Sequence, residues 1–165
     1  MSVEHRDTII RVDLALTFVF AVTAWYAAID FSTTAQWVGA ITAMVLFAIG
    51  VFAFLWSYWT AVQRSRSHEI SVTQLYLLMG DAIPSPVRRT MNLALLVQFA
   101  VATATTFFRP NGPDGNPGSS LAVGFLVPML GFGLNGLWAA KYGEFAVRSD
   151  LRASRKEIRQ NADHG

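Results

Sequence analysis

Four long apolar stretches dominate this sequence and limit the folds that are open to it. They cover residues 9–29, 37–60, 86–108 and 121–142. Each is close to the roughly 20 residues that a helix needs to cross about 30 Å of hydrocarbon. The second stretch carries no charge and is apolar all round, which excludes a buried helix of a soluble protein. The sequence therefore predicts an all-α, polytopic membrane protein with four transmembrane helices.

The basic residues are sorted between the two ends of these stretches. The chain contains 13 lysines and arginines. If all four stretches cross the membrane, every one of these residues except Arg109 lies on the same side. Because positive residues near span ends are retained in the cytoplasm, this distribution predicts a multi-pass plasma-membrane protein with both termini cytoplasmic. Trp37 and Trp59 fall near opposite ends of the second stretch, where aromatic rings prefer to lie.

A chain of 165 residues has room for one structural unit. We assign residues 1–145 to a four-helix transmembrane domain and residues 146–165 to a basic cytoplasmic tail. The net charge of +2 is too small to indicate nucleic-acid binding. Membrane lipid is the expected electrostatic partner of the basic segments.

The connection between the second and third spans contains the signals of a short helix. Ser71 and Gln74 have the spacing of a capping box, and Gly80 suits the left-handed residue beyond a helix end. These signals predict a cytoplasmic interfacial helix at residues 72–79. We expect its broad apolar face to dock on the membrane surface or on a partner protein. That face consists of Val72, Leu75, Tyr76, Leu78 and Met79.

The fourth span is unusually rich in glycine and contains one proline. Pro128 should leave the Gly124 carbonyl without its usual helical partner and bend the helix. Because small residues allow another backbone to approach closely, we interpret seven residues as a helix-packing or partner interface. They are Gly124, Pro128, Gly131, Gly133, Asn135, Gly136 and Ala140. The alternative is a broken helix that lines a substrate path, although this span contains no charge to mark one.

Few polar residues lie in or near the spans. Gln98 and Thr105 share one face of the third span, which suggests a polar seam against Asn135. Asp13 lies at the inner end of the first span, where proton coupling is one alternative. The favoured interpretation is interfacial ion pairing with nearby arginines, namely Arg11, Arg88 or Arg89.

The residues needed for several kinds of chemistry are missing. The chain has no cysteine, and its histidines, His5, His68 and His164, all lie outside the spans. This excludes haem held by histidines between the helices and a cysteine-ligated metal. We also find no nucleotide-binding or hydrolase motif. The sequence predicts no enzymatic activity, no cofactor and no metal.

Several motifs in the second half of the chain carry a resemblance. These motifs are residues 80–84 (GDAIP), 86–89 (PVRR), 108–110 (FRP), 120–133 (SLAVGFLVPMLGFG) and 136–145 (GLWAAKYGEF). Together they resemble a family of small four-span membrane proteins of actinobacteria, mycobacteria included. The resemblance covers about half of the chain. It implies a cell-envelope protein of a high-GC Gram-positive organism, and it implies no catalytic residues.

These features together lead to an expected function. We expect a non-enzymatic accessory or stabilising subunit of a larger cell-envelope membrane complex, with other integral membrane subunits as partners. Candidate assemblies are an Mce-type lipid transporter, a lipid exporter and a respiratory complex. The alternative is a small transporter or channel that acts as a homo-oligomer, because four spans are too few to enclose a pathway alone.

Overall fold

A computed structural model describes residues 3–112, 115 and 119–147 of the chain. The regular structure in these ranges is helical, which confirms the all-α prediction. Five α-helices follow one another, with a 3₁₀ helix immediately before the last. They are α1 (Val3–Asp30), α2 (Thr33–Ser65), α3 (Val72–Tyr76), α4 (Ser85–Phe108), the 3₁₀ helix (Ser120–Leu126) and α5 (Pro128–Tyr142).

The four predicted spans are confirmed as helices that are long and apolar enough to cross a membrane. The 3₁₀ helix and α5 together form the fourth of them. Helix α2 has 33 residues, which corresponds to about 50 Å, and therefore exceeds the hydrocarbon thickness by several turns. We call the end of the bundle that holds Phe31 and Arg109 the Arg109 end. The opposite end, which holds α3, is called the Arg64 end.

Pro128 divides the fourth span into two kinds of helix. In a continuous α-helix the Gly124 carbonyl would accept from the nitrogen of residue 128, which in proline carries no hydrogen. The structure instead has 3₁₀ bonding, and the Val127 N–H donates to the Gly124 oxygen at 3.0 Å. As predicted, the Gly124 carbonyl lacks its usual α-helical partner, and the tighter helix supplies a donor one residue earlier.

Helix α5 lies at the centre of the packing. It contacts α2 along most of its length and also packs on α4, α3 and α1. Ten of its fifteen residues are buried. The other three long helices carry most of the apolar side chains that face outward, and examples are Phe18, Ile29, Trp37, Phe52, Leu96 and Phe107. The protein therefore has an inward-facing glycine-rich helix and three helices with lipid-compatible outer faces.

The loop before α4 contains the predicted capping box, but its helix is shorter than predicted. The capping box is confirmed, since Ser71 Oγ accepts from the Gln74 N–H at 3.2 Å and the Gln74 side chain accepts from the Ser71 N–H at 3.1 Å. Helix α3 nevertheless ends at Tyr76 rather than at residue 79. Leu78 has a φ of 54°, so the chain turns away before Met79.

Two sequence predictions concern residues whose structure is not described. Most of the basic tail assigned to residues 146–165 lies outside the described ranges, which end at residue 147. Part of the loop between α4 and the 3₁₀ helix, residues 113–114 and 116–118, lies outside them as well.

Candidate functional site

Glycines bring α2 and α5 into backbone contact. A Cβ atom on Gly50 would lie 2.4 Å from the Leu130 nitrogen, and a Cβ on Gly133 would lie 2.3 Å from the Gly50 oxygen. Real Cβ atoms do not approach backbone atoms so closely, so neither position accepts a larger residue without movement. Gly50 and Gly133 therefore form a seam that sets the spacing of the two helices. Gly50 is not recognisable from the sequence, because a single glycine in an apolar span has no distinctive pattern.

The other small residues of the fourth span face different neighbours. Gly131 faces α4, where its Cβ would lie 2.8 Å from Leu95 Cδ1. Gly136 faces Ser57 and the Tyr76 ring, each 2.6 Å from the same hypothetical atom. All seven residues predicted as a packing or partner interface are buried, namely Gly124, Pro128, Gly131, Gly133, Asn135, Gly136 and Ala140. They pack within this chain and are not accessible to a partner.

Asp13 lies inside the bundle, which corrects the predicted ion pair with an arginine at the membrane surface. Its side chain is fully buried, and Gln98 Nε2 lies 3.5 Å from its Oδ1 atom. Its Oδ2 atom has no hydrogen-bond partner among the described residues. The reason is that α1 begins at Val3, so Asp13 is already more than two turns into the helix. An acidic residue inside a span is costly, by up to about 2.5–3.5 kcal/mol at the helix centre on insertion scales, which makes this site a candidate for function.

Gln98 connects Asp13 to the start of α5. Its Nε2 atom donates to Thr17 Oγ1 at 2.7 Å, and its Oε1 atom accepts from the Gly131 N–H at 3.3 Å. The first N–H groups of a helix have no partner within the helix, and water cannot supply one in hydrocarbon. Gln98 thus satisfies an amide that the break at Pro128 leaves free. It lies 13 residues after Ser85 and 10 before Phe108, which is about 20 and 15 Å, near the middle of its span.

A second polar cluster joins α5 to α4 and to the loop that contains α3. Asn135 Nδ2 donates to the Tyr76 oxygen at 3.0 Å and to Asn92 Oδ1 at 3.2 Å. Asn92 Nδ2 donates in turn to the Leu77 oxygen at 2.9 Å. The predicted seam of Gln98 with Asn135 is therefore wrong, because the two side chains serve separate clusters.

The loop that contains α3 folds back on its own bundle, which corrects the predicted docking surface. Leu75, Tyr76 and Leu78 are buried within the chain. The Tyr76 ring stacks on Phe54 of α2 at a centroid distance of 4.3 Å. Among the five predicted docking residues, only Val72 and Met79 are exposed, by 71% and 54%. The predicted apolar face exists, but the bundle of the same chain covers most of it, so little of it is open to lipid or to a partner protein.

Arg64 has a structural role that the sequence analysis missed. Its guanidinium donates to the Ala140 oxygen at 2.7 Å and to the Gly143 oxygen at 3.0 Å, and lies 5.4 Å from the Phe145 ring centroid. It therefore caps the C-terminus of α5, where carbonyl groups lack partners and attract positive charge. The sequence feature that could have predicted this role is an arginine at the end of an apolar span, because such a side chain can donate to the last carbonyl groups of a neighbouring helix.

Arg88 and Arg89 lie in the first turns of α4 at the Arg64 end. Arg88 Nη1 donates to the Gly80 oxygen at 3.0 Å, and Arg89 is exposed. Neither is the partner of Asp13 that the sequence analysis expected, since Asp13 contacts Gln98. Both arginines line a cleft beside α4.

The chemical possibilities of the polar clusters are narrow. Across the described residues, no group of three or more metal-binding side chains lies together. The Asp13 cluster combines one carboxyl, one hydroxyl, one primary amide and one backbone amide. Such a set can hold a proton or join helices. In comparisons with known proteins, no family model, curated protein or solved structure matches this chain. The resemblance to an actinobacterial family therefore stays a prediction, and the functional proposal rests on the geometry.

Proposed function

We propose that this protein is a non-enzymatic accessory subunit that stabilises a larger membrane complex of the cell envelope. The observation that carries the proposal is the backbone contact of α2 with α5 at Gly50 and Gly133. It fixes these two spans at a spacing that any sliding motion would disturb. The polar side chains inside the spans mostly bond within the chain, which leaves the apolar faces of α1, α2 and α4 for interaction. A partner complex involved in lipid transport or respiration is the proposed setting.

The proposed location is the plasma membrane, with both termini cytoplasmic. Arginines from three segments meet at the Arg64 end of the bundle. The Arg6 guanidinium lies 5.6 Å from the Trp138 ring centroid, Arg64 bonds to the end of α5, and Arg88 bonds to Gly80. Because positive residues near span ends are retained in the cytoplasm, this clustering supports a cytoplasmic Arg64 end.

Photocrosslinking in the native membrane tests the subunit proposal. A photoreactive residue at Phe52, which is 69% exposed on α2, should form a crosslink to another integral membrane protein. The same residue at Leu130, which is buried against α2, should form only crosslinks within the chain and serves as the matched control. Quantitative mass spectrometry after gentle extraction should then find that protein in a fixed ratio to this one.

The subunit proposal would be refuted if photoreactive residues at Phe52, Phe18 and Leu96 reacted only with lipid or with other copies of this chain. These positions sample the outer faces of α2, α1 and α4, respectively. A purified particle whose mass is a small multiple of 18.1 kDa would point to a self-contained oligomer.

A second candidate function is a homo-oligomeric transporter or channel, and the Asp13 cluster favours it. The fourth span itself contains no charge, which disfavours a substrate path on the sequence alone. The structure places a buried carboxyl beside that span, connected through Gln98 to Gly131 near the break at Pro128. Broken helices and buried acids recur at the midplane sites of transporters. If this candidate is right, Asp13→Asn should abolish proton flux in liposomes that contain the protein, while Thr17→Val should only reduce it.

A further inference from the structure

A cleft runs along α4 from the Arg64 end toward the middle of the bundle. Its volume is about 670 Å³, and α4, α5 and the turn after α3 form its walls. One end is charged and the other is apolar. The residues that matter here are Arg88, Arg89 and Met79 near the charged end, and Leu96, Phe99 and Phe132 at the apolar end.

The charged end presents two guanidinium groups. Arg88 uses one N–H group on the Gly80 oxygen, at 3.0 Å, and a guanidinium has five N–H donors in all. Its position is therefore fixed while donors remain for a ligand. Arg89 is exposed at the same rim. Guanidinium groups bind phosphate oxygens through paired hydrogen bonds, so this end of the cleft matches a phosphate ester.

The apolar end has the form expected for contact with a hydrocarbon chain. Phe99 and Phe132 meet edge to face at a centroid distance of 6.3 Å. Leu96 and Phe99 are 63% and 40% exposed, respectively, although they are apolar. Phe99 follows Arg88 by eleven residues on α4, which corresponds to about 16 Å. That length is close to half of a hydrocarbon core of about 30 Å, which matches the length available to an acyl chain in one leaflet.

We propose that this cleft is a binding site for an anionic phospholipid. The phosphate binds Arg88 and Arg89, and one acyl chain lies over Leu96, Phe99 and Phe132. The two positive charges favour a lipid with net negative charge over a zwitterionic one, since basic clefts between membrane helices attract anionic head groups. The apolar floor distinguishes this site from one for a free anion. The proposal holds whether the protein acts as a subunit or as a transporter.

Native mass spectrometry of the purified full-length protein tests the proposal. The probes are phosphatidylglycerol and phosphatidylcholine with the same acyl chains, each titrated into a mild detergent. The wild type should retain one phosphatidylglycerol at least tenfold more tightly than phosphatidylcholine. The double substitution Arg88→Gln with Arg89→Gln should remove this preference. The matched control is Arg66→Gln, which alters an exposed arginine at the same end that does not line the cleft.

Two further measurements distinguish a phospholipid site from a site for a free anion. Leu96→Trp, which fills the apolar end at an exposed position, should weaken phosphatidylglycerol binding several-fold while both arginines remain. Inorganic phosphate at about 100-fold excess over the lipid should not displace the phosphatidylglycerol, because the anion alone lacks the apolar contact. Unchanged elution and helical circular dichroism show that each variant is folded, and Arg89→Gln alone provides the mildest change.

Three results would overturn the proposal. The first is equal retention of the two lipids by the wild type. The second is a preference that survives in the folded Arg88→Gln, Arg89→Gln variant or disappears equally in Arg66→Gln. The third is complete displacement by inorganic phosphate, which would identify a soluble-anion site in place of a lipid site.

Discussion

Replacing Gly133 by alanine should force α2 and α5 apart and destabilise the whole bundle. The new Cβ would lie 2.3 Å from the Gly50 oxygen and 3.1 Å from Ala53 Cβ. Favourable contacts of this kind begin near 3.5 Å, so the helices must separate by about 1 Å. A gap of that size forfeits a quarter to a half of the dispersion energy between the atoms along it.

The expected magnitude follows from two opposing effects. Overpacking a well-packed core costs about 1–3 kcal/mol, and a clash with a backbone oxygen belongs at the upper end because the oxygen cannot rotate away. Alanine recovers up to about 1 kcal/mol through its higher helix propensity. We therefore expect Gly133→Ala to lower the free energy of unfolding by about 1–2 kcal/mol.

A double-mutant cycle makes the test specific to the seam. Gly50→Ala should cost a similar amount, since its Cβ would lie 2.4 Å from the Leu130 nitrogen. The double variant should cost less than the sum of the two, because one separation of the helices relieves both clashes. Gly124→Ala is the control, since its nearest contact is the Phe20 ring at 3.3 Å, which can rotate.

Reversible unfolding in mixed micelles, followed by circular dichroism at increasing sodium dodecyl sulfate, measures these differences. The control Gly124→Ala should fall within about 0.5 kcal/mol of the wild type. A Gly133→Ala variant as stable as this control would refute the close approach of α2 and α5. Strictly additive costs in the double variant would show that the two glycines do not share one interface.

Three shorter predictions address other parts of the fold. Arg64→Gln should lower the free energy of unfolding by about 2 kcal/mol, because two carbonyls at the end of α5 lose a charged donor. Leu78→Ser should cost about 2–5 kcal/mol in the same assay because the side chain is fully buried, whereas Val72→Ser should change little. Reporter proteins fused after Thr34 should lie outside the cytoplasm, and those fused after Ser67 should lie inside it. The reverse pattern would refute the proposed orientation.

The spans could be predicted because the bilayer imposes length and composition on any helix that crosses it. The capping box at Ser71 was also predictable, since it depends on residues three positions apart. The burial of the α3 loop against its own bundle could not be predicted. An apolar face has the same appearance in sequence whether lipid, a partner or the same chain covers it. The deciding contact joins Tyr76 to Gly136, which leaves space for the ring only because it has no side chain.

Asp13 illustrates a different limit of sequence reasoning. Its neighbour Arg11 suggested a position at the membrane surface, yet the helix starts eight residues before Arg11 and carries Asp13 inward. Its hydrogen-bond partner Gln98 lies 85 residues away in the sequence. Without the packing of α1 on α4, nothing in the local pattern distinguishes a surface ion pair from a buried cluster.

Gln98 holds the Asp13 cluster together through the two ends of one amide group. Its oxygen accepts from the Gly131 N–H, and its nitrogen faces Thr17 and Asp13. Reversing the amide would place its NH2 group against the Gly131 N–H, and these two donors cannot bond to each other, so the orientation is fixed. The position of the start of α5 is thereby tied to Asp13. Asp13→Asn separates the two candidate functions, because asparagine keeps an acceptor for Gln98 but loses the group that can release a proton. In a stabilising subunit the partner proteins should remain bound to this variant, whereas a proton-coupled transporter should lose its flux while keeping its oligomeric mass.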